Sequence, residues 1–394
     1  MIKRIPRVVW LLSLVSFLND TASEMLYPVM PIFITQVLGA PVFVLGIIEG
    51  VAEASASIFK TIFGIWSDKL QKRKPFVVAG YGSSAVAKII IAASYAWPVV
   101  LVGRILDRFG KGARTGARDA LLLDAAERDN KGLIFGLHRS MDTAGAVLGP
   151  TIALLLLWLF ANNLRLILYI AIIPAFLSLI FFIWVREAKK KTETQKTKLS
   201  FSIKDFPPEL KMFLLGLSVF SLGNSSDSFL ILRAKSLGLS LVLVISAYIV
   251  YNIVYAAAST PAGIISDKIG TKKVFITGII IFALVYLGFA LDTNGLLMWP
   301  LFGIYGFYIA LTDGVSKAMV GSLIDKREAG TAYGVLNTVT SVFTLLASII
   351  GGLLWSFVAP QTTFLFAVVC ALISLVIFAS IKTQKQPRFS TGNP

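Results

Sequence analysis

The sequence predicts an all-α polytopic membrane protein, with twelve transmembrane helices forming two six-helix pseudo-symmetric bundles. Three observations carry that expectation. The first is composition: of 394 residues, 56% are hydrophobic and 15% charged, with a mean hydropathy of +0.79. A water-soluble domain cannot hide that much apolar surface, so lipid is the solvent for most of it. The second is pattern. The apolar runs are long rather than alternating, and backbone groups in lipid must be satisfied within the chain, so helices are implied and a barrel is not. The third is a repeat. Gly64-Ile-Trp-Ser-Asp-Lys-Leu-Gln-Lys-Arg-Lys74 returns as Gly263-Ile-Ile-Ser-Asp-Lys-Ile-Gly-Thr-Lys-Lys273, 199 residues later. A soluble repeat has a period of tens of residues; here the period is half the chain.

Apolar segments of spanning length fall at about 8–37, 42–67, 76–97, 99–123, 133–160 and 164–185. A lysine-rich polar stretch follows, and then come segments at about 210–234, 240–266, 273–291, 296–323, 330–358 and 361–381. The organisation expected is an N-terminal bundle over 1–185, a basic linker over 186–209 and a C-terminal bundle with a short tail over 210–394. Segments 99–123 and 296–323 are interrupted by charges. Further matches support the repeat: Asn19 with Asn224, Gly132 with Gly330 and Gly136 with Gly334. Six helices per half give both halves the same orientation, which makes them parallel repeats about an axis along the membrane normal.

Lysine and arginine placement sets the orientation. Lys69, Lys72, Arg73, Lys74, Arg128, Lys131, the linker, Lys268, Lys272, Lys273, Lys326, Arg327 and the tail all share one side. The turns around Gly39, Pro98, Asn294 and Pro360 hold no base, and only Arg165, Arg233 and Lys235 fall opposite. Both termini and the linker are therefore expected in the cytoplasm, with the chain multi-pass in the cytoplasmic (inner) membrane. The N-terminal Lys3, Arg4 and Arg7 before an apolar run read as a signal anchor and first span, since no small-residue cleavage site follows.

The net charge of +16 is topological on this reading, and no soluble domain is left to bind nucleic acid. A lone Cys370 excludes an internal disulfide and a cysteine-based metal site. A lone His138 is more simply a packed histidine than a ligand, so no metal and no cofactor are expected. No Gly-x-x-x-x-Gly-Lys-Ser/Thr loop is present to hold nucleotide.

Charges within spans are costly, so those that occur mark candidate sites. The fourth segment carries Arg104, Asp107, Arg108, Lys111, Arg114, Arg118 and Asp119. Two readings of its bases stand: a cationic wall for an anionic substrate group, or an internal salt network with acids of neighbouring helices. The acids lie on the first, second and fifth segments: Asp20 and Glu24 one turn apart, Glu49 and Glu53 likewise, and Asp142 four residues after His138. Buried carboxylates near arginines can exchange protons as a cavity opens to either side. Asp20, Glu24, Glu53, Asp142, Arg104 and Arg108 are the candidate proton-coupling residues, with Glu49 and Glu53 expected near the outer surface.

The second half offers Asn224 and Asp227, Asp313 and Lys317, and Asn337, with Tyr248, Tyr251, Asn252 and Tyr255 at helical spacing. That stripe is either interface packing or a wall for an amphipathic ligand. Together with Asn19, Tyr27 and Lys111, the candidate cavity set is Asn224, Asp227, Tyr251, Asn252, Tyr255, Asp313, Lys317 and Asn337.

In the doubled loop, a helix-end glycine permits close approach and an acid near a helix N-terminus suits its dipole. Gly64, Asp68, Lys69, Lys72 and Arg73, echoed by Gly263, Asp267, Lys268, Gly270 and Lys272, resemble the loop signature between the second and third helices of the major facilitator superfamily. The resemblance extends over the whole chain through helix count, repeat and linker. It implies that Gly64, Asp68, Lys69, Arg73, Gly263, Asp267 and Lys268 form a cytoplasmic gate. Arg104, Gly110 and Gly112 fit the family's fourth-helix pattern, which implies a coupling role for Arg104, with Arg108 standing where glycine is usual. Gly145, Gly149 and Pro150 match the front of the family's antiporter signature, while Ala153 and Leu154 replace its trailing glycine pair. The implied function is a secondary active transporter, not an enzyme, exporting a small molecule against protons by alternating access. Transport of an anionic metabolite or metal chelate on the fourth-helix arginines is the alternative; a channel or membrane enzyme is remote. The expected partners are substrate, protons and the lipid bilayer, with the protein a monomer.

Overall fold

The computed structural model describes residues 5–70, 73–125, 131–160, 163–185, 206–324 and 329–381. All regular structure among them is helical, and it falls into twelve units in the expected order. In the first half α1 runs Arg7–Leu26, continued by Met30–Ile32 and a π-helical turn Phe33–Val37; then come α2 Val42–Leu70, α3 Lys74–Ala92, α4 Trp97–Asp124 and α5 Lys131–Leu159. The unit α6 is built from Leu164–Ile170, Ile172–Ile180 and a 3-10 turn Phe181–Trp184. In the second half α7 is Pro208–Gly223 plus Ser228–Ser236, followed by α8 Leu241–Ile269, α9 Thr271–Leu291, α10 Met298–Ser322, α11 Ala329–Phe357 and α12 Pro360–Ser380.

Two spans expected to be continuous are broken. Pro28 and Pro31 lack amide donors, so α1 cannot carry its hydrogen-bond ladder through that stretch. In α7, Asn224-Ser-Ser-Asp227 competes for the backbone with side-chain polar groups and opens the helix. The charged segments 99–123 and 296–323, by contrast, are unbroken helices.

Eight of the twelve units are long and apolar enough to cross a membrane. The four that fall short are α1, α4, α7 and α10, the first and fourth of each half. These four hold Asp20, Glu24, the α4 charges, Asp227, Asp313 and Lys317. Polar groups within such units are the mark of helices that face something other than lipid.

Within the first half α3 packs on α4, α2 on α4 and α1 on α5; within the second α8 packs on α10, α9 on α10 and α12, and α7 on α12. The halves meet along α2–α11, α5–α8, and the end of α1 against the second piece of α7. Near the Gly39 and Asn294 turns, here the turn end, the seam is tight. A Cβ on Gly46 of α2 would stand 2.2 Å from the Ser348 carbonyl oxygen of α11. The Phe43 amide donates to Ser356 Oγ at 3.0 Å, and the Phe43 and Phe357 rings stack with centroids 6.0 Å apart. Toward the end that carries Arg73, Lys74, Lys272 and Lys273, here the basic end, the halves part.

Candidate functional site

The parting leaves a cleft of about 860 Å³ walled by α1, α5, α8 and α10, which reaches the basic end at Asp267. Asp20, Arg139, Asp142, Tyr255 and Asp313 line it. That volume lies within the range that encloses a drug-sized molecule. The cleft brings together Asp20 and Asp142 from helices 122 residues apart in the sequence, across a contact that two glycines allow. Beta carbons on Gly145 and Gly149 would fall 2.7 Å and 2.6 Å from the carbonyl oxygens of Phe17 and Thr21, so α1 and α5 touch backbone to backbone. Gly145, Gly149 and Pro150 thus position the acids of α1.

The α4 bases are largely a salt network inside the first half. Arg104 donates to Glu49 at 2.6 Å, and both are buried. Glu49 is therefore buried, drawn by Arg104 into the α2–α4 contact. Glu53, one turn on, is exposed, and the charges acting on it are Arg108, Lys111 and Arg104. Arg118 donates to Asp119 at 3.0 Å and to Ser16 at 2.9 Å, and the Arg114 guanidinium lies 4.6 Å from the Tyr81 ring centroid. Arg108 Nε has no hydrogen-bond partner among the described residues, and Lys111 is exposed. Those two remain of the cationic wall.

Sequence reasoning missed Lys88. It is 2% exposed on α3 and pairs at 3.4 Å with Asp107, which also accepts from Ser84. A single lysine amid the apolar run Ala85–Ala92 was the available signal. His138 lies buried with Nδ1 3.5 Å from Asp142, and neither His138 Nε2 nor Asp142 Oδ1 has a partner among the described residues. Asn19, expected in the cavity, is fully buried instead, and its amide donates to the neighbouring Asp20 at 3.5 Å.

In the second half, α8 sends three tyrosines to three carboxylates on three other helices. Tyr248 donates to Glu24 at 3.0 Å, Tyr251 to Asp227 at 3.2 Å and Tyr255 to Asp313 at 3.0 Å. Tyr305 of α10, also missed, donates to the other oxygen of Asp227 at 2.6 Å. Tyr27 stacks on Tyr248 with centroids 5.6 Å apart, so the stripe is packing and polar wall at once. Asn252 lines the cleft but spends its amide on the Tyr248 carbonyl at 2.9 Å. Lys317 pairs with Asp313 at 3.3 Å, Asn224 is half-buried at the break in α7, and Asn337 is exposed on α11.

The doubled loop departs from its expected packing. Beta carbons on Gly64 and Gly263 would meet nothing within 4 Å, because the halves are parted where these glycines lie. The side chains of Asp68 and Lys69 lie outside the described residues; Asp267 and Lys268 are exposed. Arg73 binds Asp124 and donates to the Ala120 carbonyl at 3.0 Å, two contacts inside the first half. Lys74 donates to Val185 O at 2.6 Å, while Lys272 donates to Ala379 O at 3.1 Å and Ile381 O. Each of these lysines, one position apart in the register of the repeat, therefore caps the closing carbonyls of the last helix in its half.

Comparison with known proteins agrees with this architecture. The family model described as Major Facilitator Superfamily matches residues 12–250 and 210–394. The MFS-type transporter MJ1317 of Methanocaldococcus jannaschii, itself uncharacterised, is 39% identical over 378 residues, covering 94% of each chain. The multi-drug resistance efflux pump PmrA of Streptococcus pneumoniae is 23% identical over 356 residues, covering 88% of each. The crystal structure of the nucleoside transporter NupG shares the fold, with a TM-score of 0.81 at 14% identity over 96% of this chain and 100% of that one. The chain belongs to the major facilitator superfamily and is a membrane transporter.

Proposed function

We propose that this member of the superfamily exports a small molecule in exchange for protons, by rocking residues 1–185 against residues 210–394. The observation that carries the reading is the cleft, with Asp20 and Asp142 together in its wall. Two carboxylates in one confined site cannot both stay ionised cheaply, so a proton and a substrate donor compete for them. Likeness to a multi-drug efflux pump along most of the chain supports the direction. With the basic end in the cytoplasm of an inner-membrane protein, the cleft faces the compartment from which export would load. Substrate occupies the wall of Asp20, Asp142, Tyr255 and Asp313, and the doubled loop closes the basic end when the halves rock. Nothing in this scheme needs more than one copy of the chain.

A second reading keeps one specific support. Arg108, with its unpartnered Nε, and exposed Lys111 could take an anionic group. Neutralising both would then abolish substrate binding, whereas under proton-coupled export it changes coupling alone.

The deciding experiment uses purified protein in liposomes enclosing a pH-sensitive dye, with pools of candidate substrates added to one side. Substrate-dependent proton movement is expected, reduced at least tenfold in Asp20→Asn, in keeping with losing a proton-transfer group. Labelled-substrate counter-flow without proton movement would remove the carboxylates from coupling.

A further inference from the structure

Most of the seam at the turn end is neutral: backbone against glycine, stacked rings, and the Phe43 amide donating to the Ser356 hydroxyl. One contact across it differs in kind. Tyr248 of the second half donates to Oε2 of Glu24 of the first at 3.0 Å, so an ionisable acceptor sits in the joint between the halves.

Both partners are held in place. Glu24 rides on the stretch of α1 that Gly149 brings against α5, where a glycine Cβ would lie 2.8 Å from Glu24 Cβ. The Tyr248 ring is stacked on Tyr27 and meets Tyr251 edge-on with centroids 5.4 Å apart, while Asn252 holds its carbonyl. The charges that bear on Glu24 are Asp20 on its own helix and Lys111 and Arg108 on α4. Those that bear on Tyr248 are Glu24, with Asp227 behind Tyr251. No cation is bonded to Glu24 among the described residues, so its protonation state directly sets the strength of the tyrosine bond.

We propose that the Tyr248–Glu24 hydrogen bond is a protonation-controlled lock: it holds the turn end shut while Glu24 is ionised and releases it when Glu24 takes a proton. The inference rests on the proton-coupled reading above and adds a residue to it. A hydroxyl bonded to a carboxylate is held about twice as strongly as one bonded to a neutral acid. The ionised, empty carrier is therefore kept with its turn end closed. A proton on Glu24, or a substrate donor that takes the carboxylate from Tyr248, frees the halves to rock. That is the rule an exchanger needs: loaded forms cross, and the empty form does not. Tyr248 is a positioning residue in this scheme, since it neither carries the proton nor must touch the substrate.

The test is a distance measurement between spin labels at Tyr95→Cys and Leu296→Cys, exposed positions in the α3–α4 and α9–α10 turns of opposite halves, with Cys370→Ala as background. In lipid nanodiscs without substrate, the population with a separated turn end should rise about five- to tenfold as pH is lowered through the titration of Glu24. Tyr248→Phe keeps the stack and loses the donor, so its separated population should be high and flat with pH. Glu24→Gln, fixed in a neutral form, should behave at every pH like the acidified parent. A Tyr248→Phe protein that keeps the parental pH response overturns the lock. So does a parent whose distances ignore pH while substrate-driven proton flux persists, an outcome that leaves the export reading standing. Loss of proton flux in the parent overturns the export reading, whereas the distances still decide the lock.

Discussion

Arg104 in the first half meets Glu49 charge against charge at 2.6 Å, whereas Asp227 in the second is held by two neutral hydroxyls, Tyr251 at 3.2 Å and Tyr305 at 2.6 Å. The contrast runs through both bundles. Lys88 of α3 likewise answers Asp107 of α4, whereas the α8 residue Tyr248 answers Glu24. An ion pair cancels its field and fixes two helices, and neither partner gives up its charge without leaving the other stranded in low dielectric. A tyrosine satisfies the oxygens of a carboxylate without cancelling the charge, so a proton on the acid weakens the bond and leaves no opposite charge stranded. The first half is built from ion pairs around α4, while the carboxylates that α8 reaches each accept from a tyrosine hydroxyl.

Breaking a locked pair should have the largest effect. Arg104→Ala leaves Glu49 buried without its cation and should cost about 3–5 kcal/mol of stability. Thermal unfolding in detergent would read that loss, and Arg104→Met with Glu49→Leu should recover most of it. If the single variant melts like the parent, the pair is not structural and Arg104 is free for coupling. An intermediate effect is expected at Asp227. Asp227→Asn keeps an acceptor for the tyrosines and should unfold within about 1 kcal/mol of the parent; Asp227→Ala strands two hydroxyls and should cost about 1–3 kcal/mol for each. Equal losses in the two variants would mean that the charge matters more than the acceptor, and would erase the distinction between the halves. Lys272→Met should do least, about 0.3–1 kcal/mol for a helix C-terminus losing its cation, with Lys74→Met matching it if the two caps are equivalent.

The proposed export, proton coupling and lock at Tyr248 ask different things of the same scaffold. The breaks in α1 and α7 and the four less apolar units show where apolar continuity gives way to polar groups in each half. Stability resides instead in the close α1–α5, α3–α4 and α2–α11 contacts, where small residues let backbones approach.

By itself the sequence determined the number of spans and their pairing into halves. Those follow from composition and periodicity, and lipid enforces both by leaving an unsatisfied backbone no partner. It also marked nearly every charge inside a span, because such charges are too costly to be incidental. What it left undecided was who faces whom. Glu49 could lie near the surface or against Arg104, the α4 bases could form a wall or a network, and the tyrosines of α8 could pack or donate. Each choice depends on how helices distant in the chain are rotated about their axes, and helical periodicity fixes which residues share a face without fixing what that face meets. Only the tertiary packing, set by the glycine contacts and the seam between the halves, brought Lys88 to Asp107, Asp142 to the cleft beside Asp20, and Tyr248 across to Glu24.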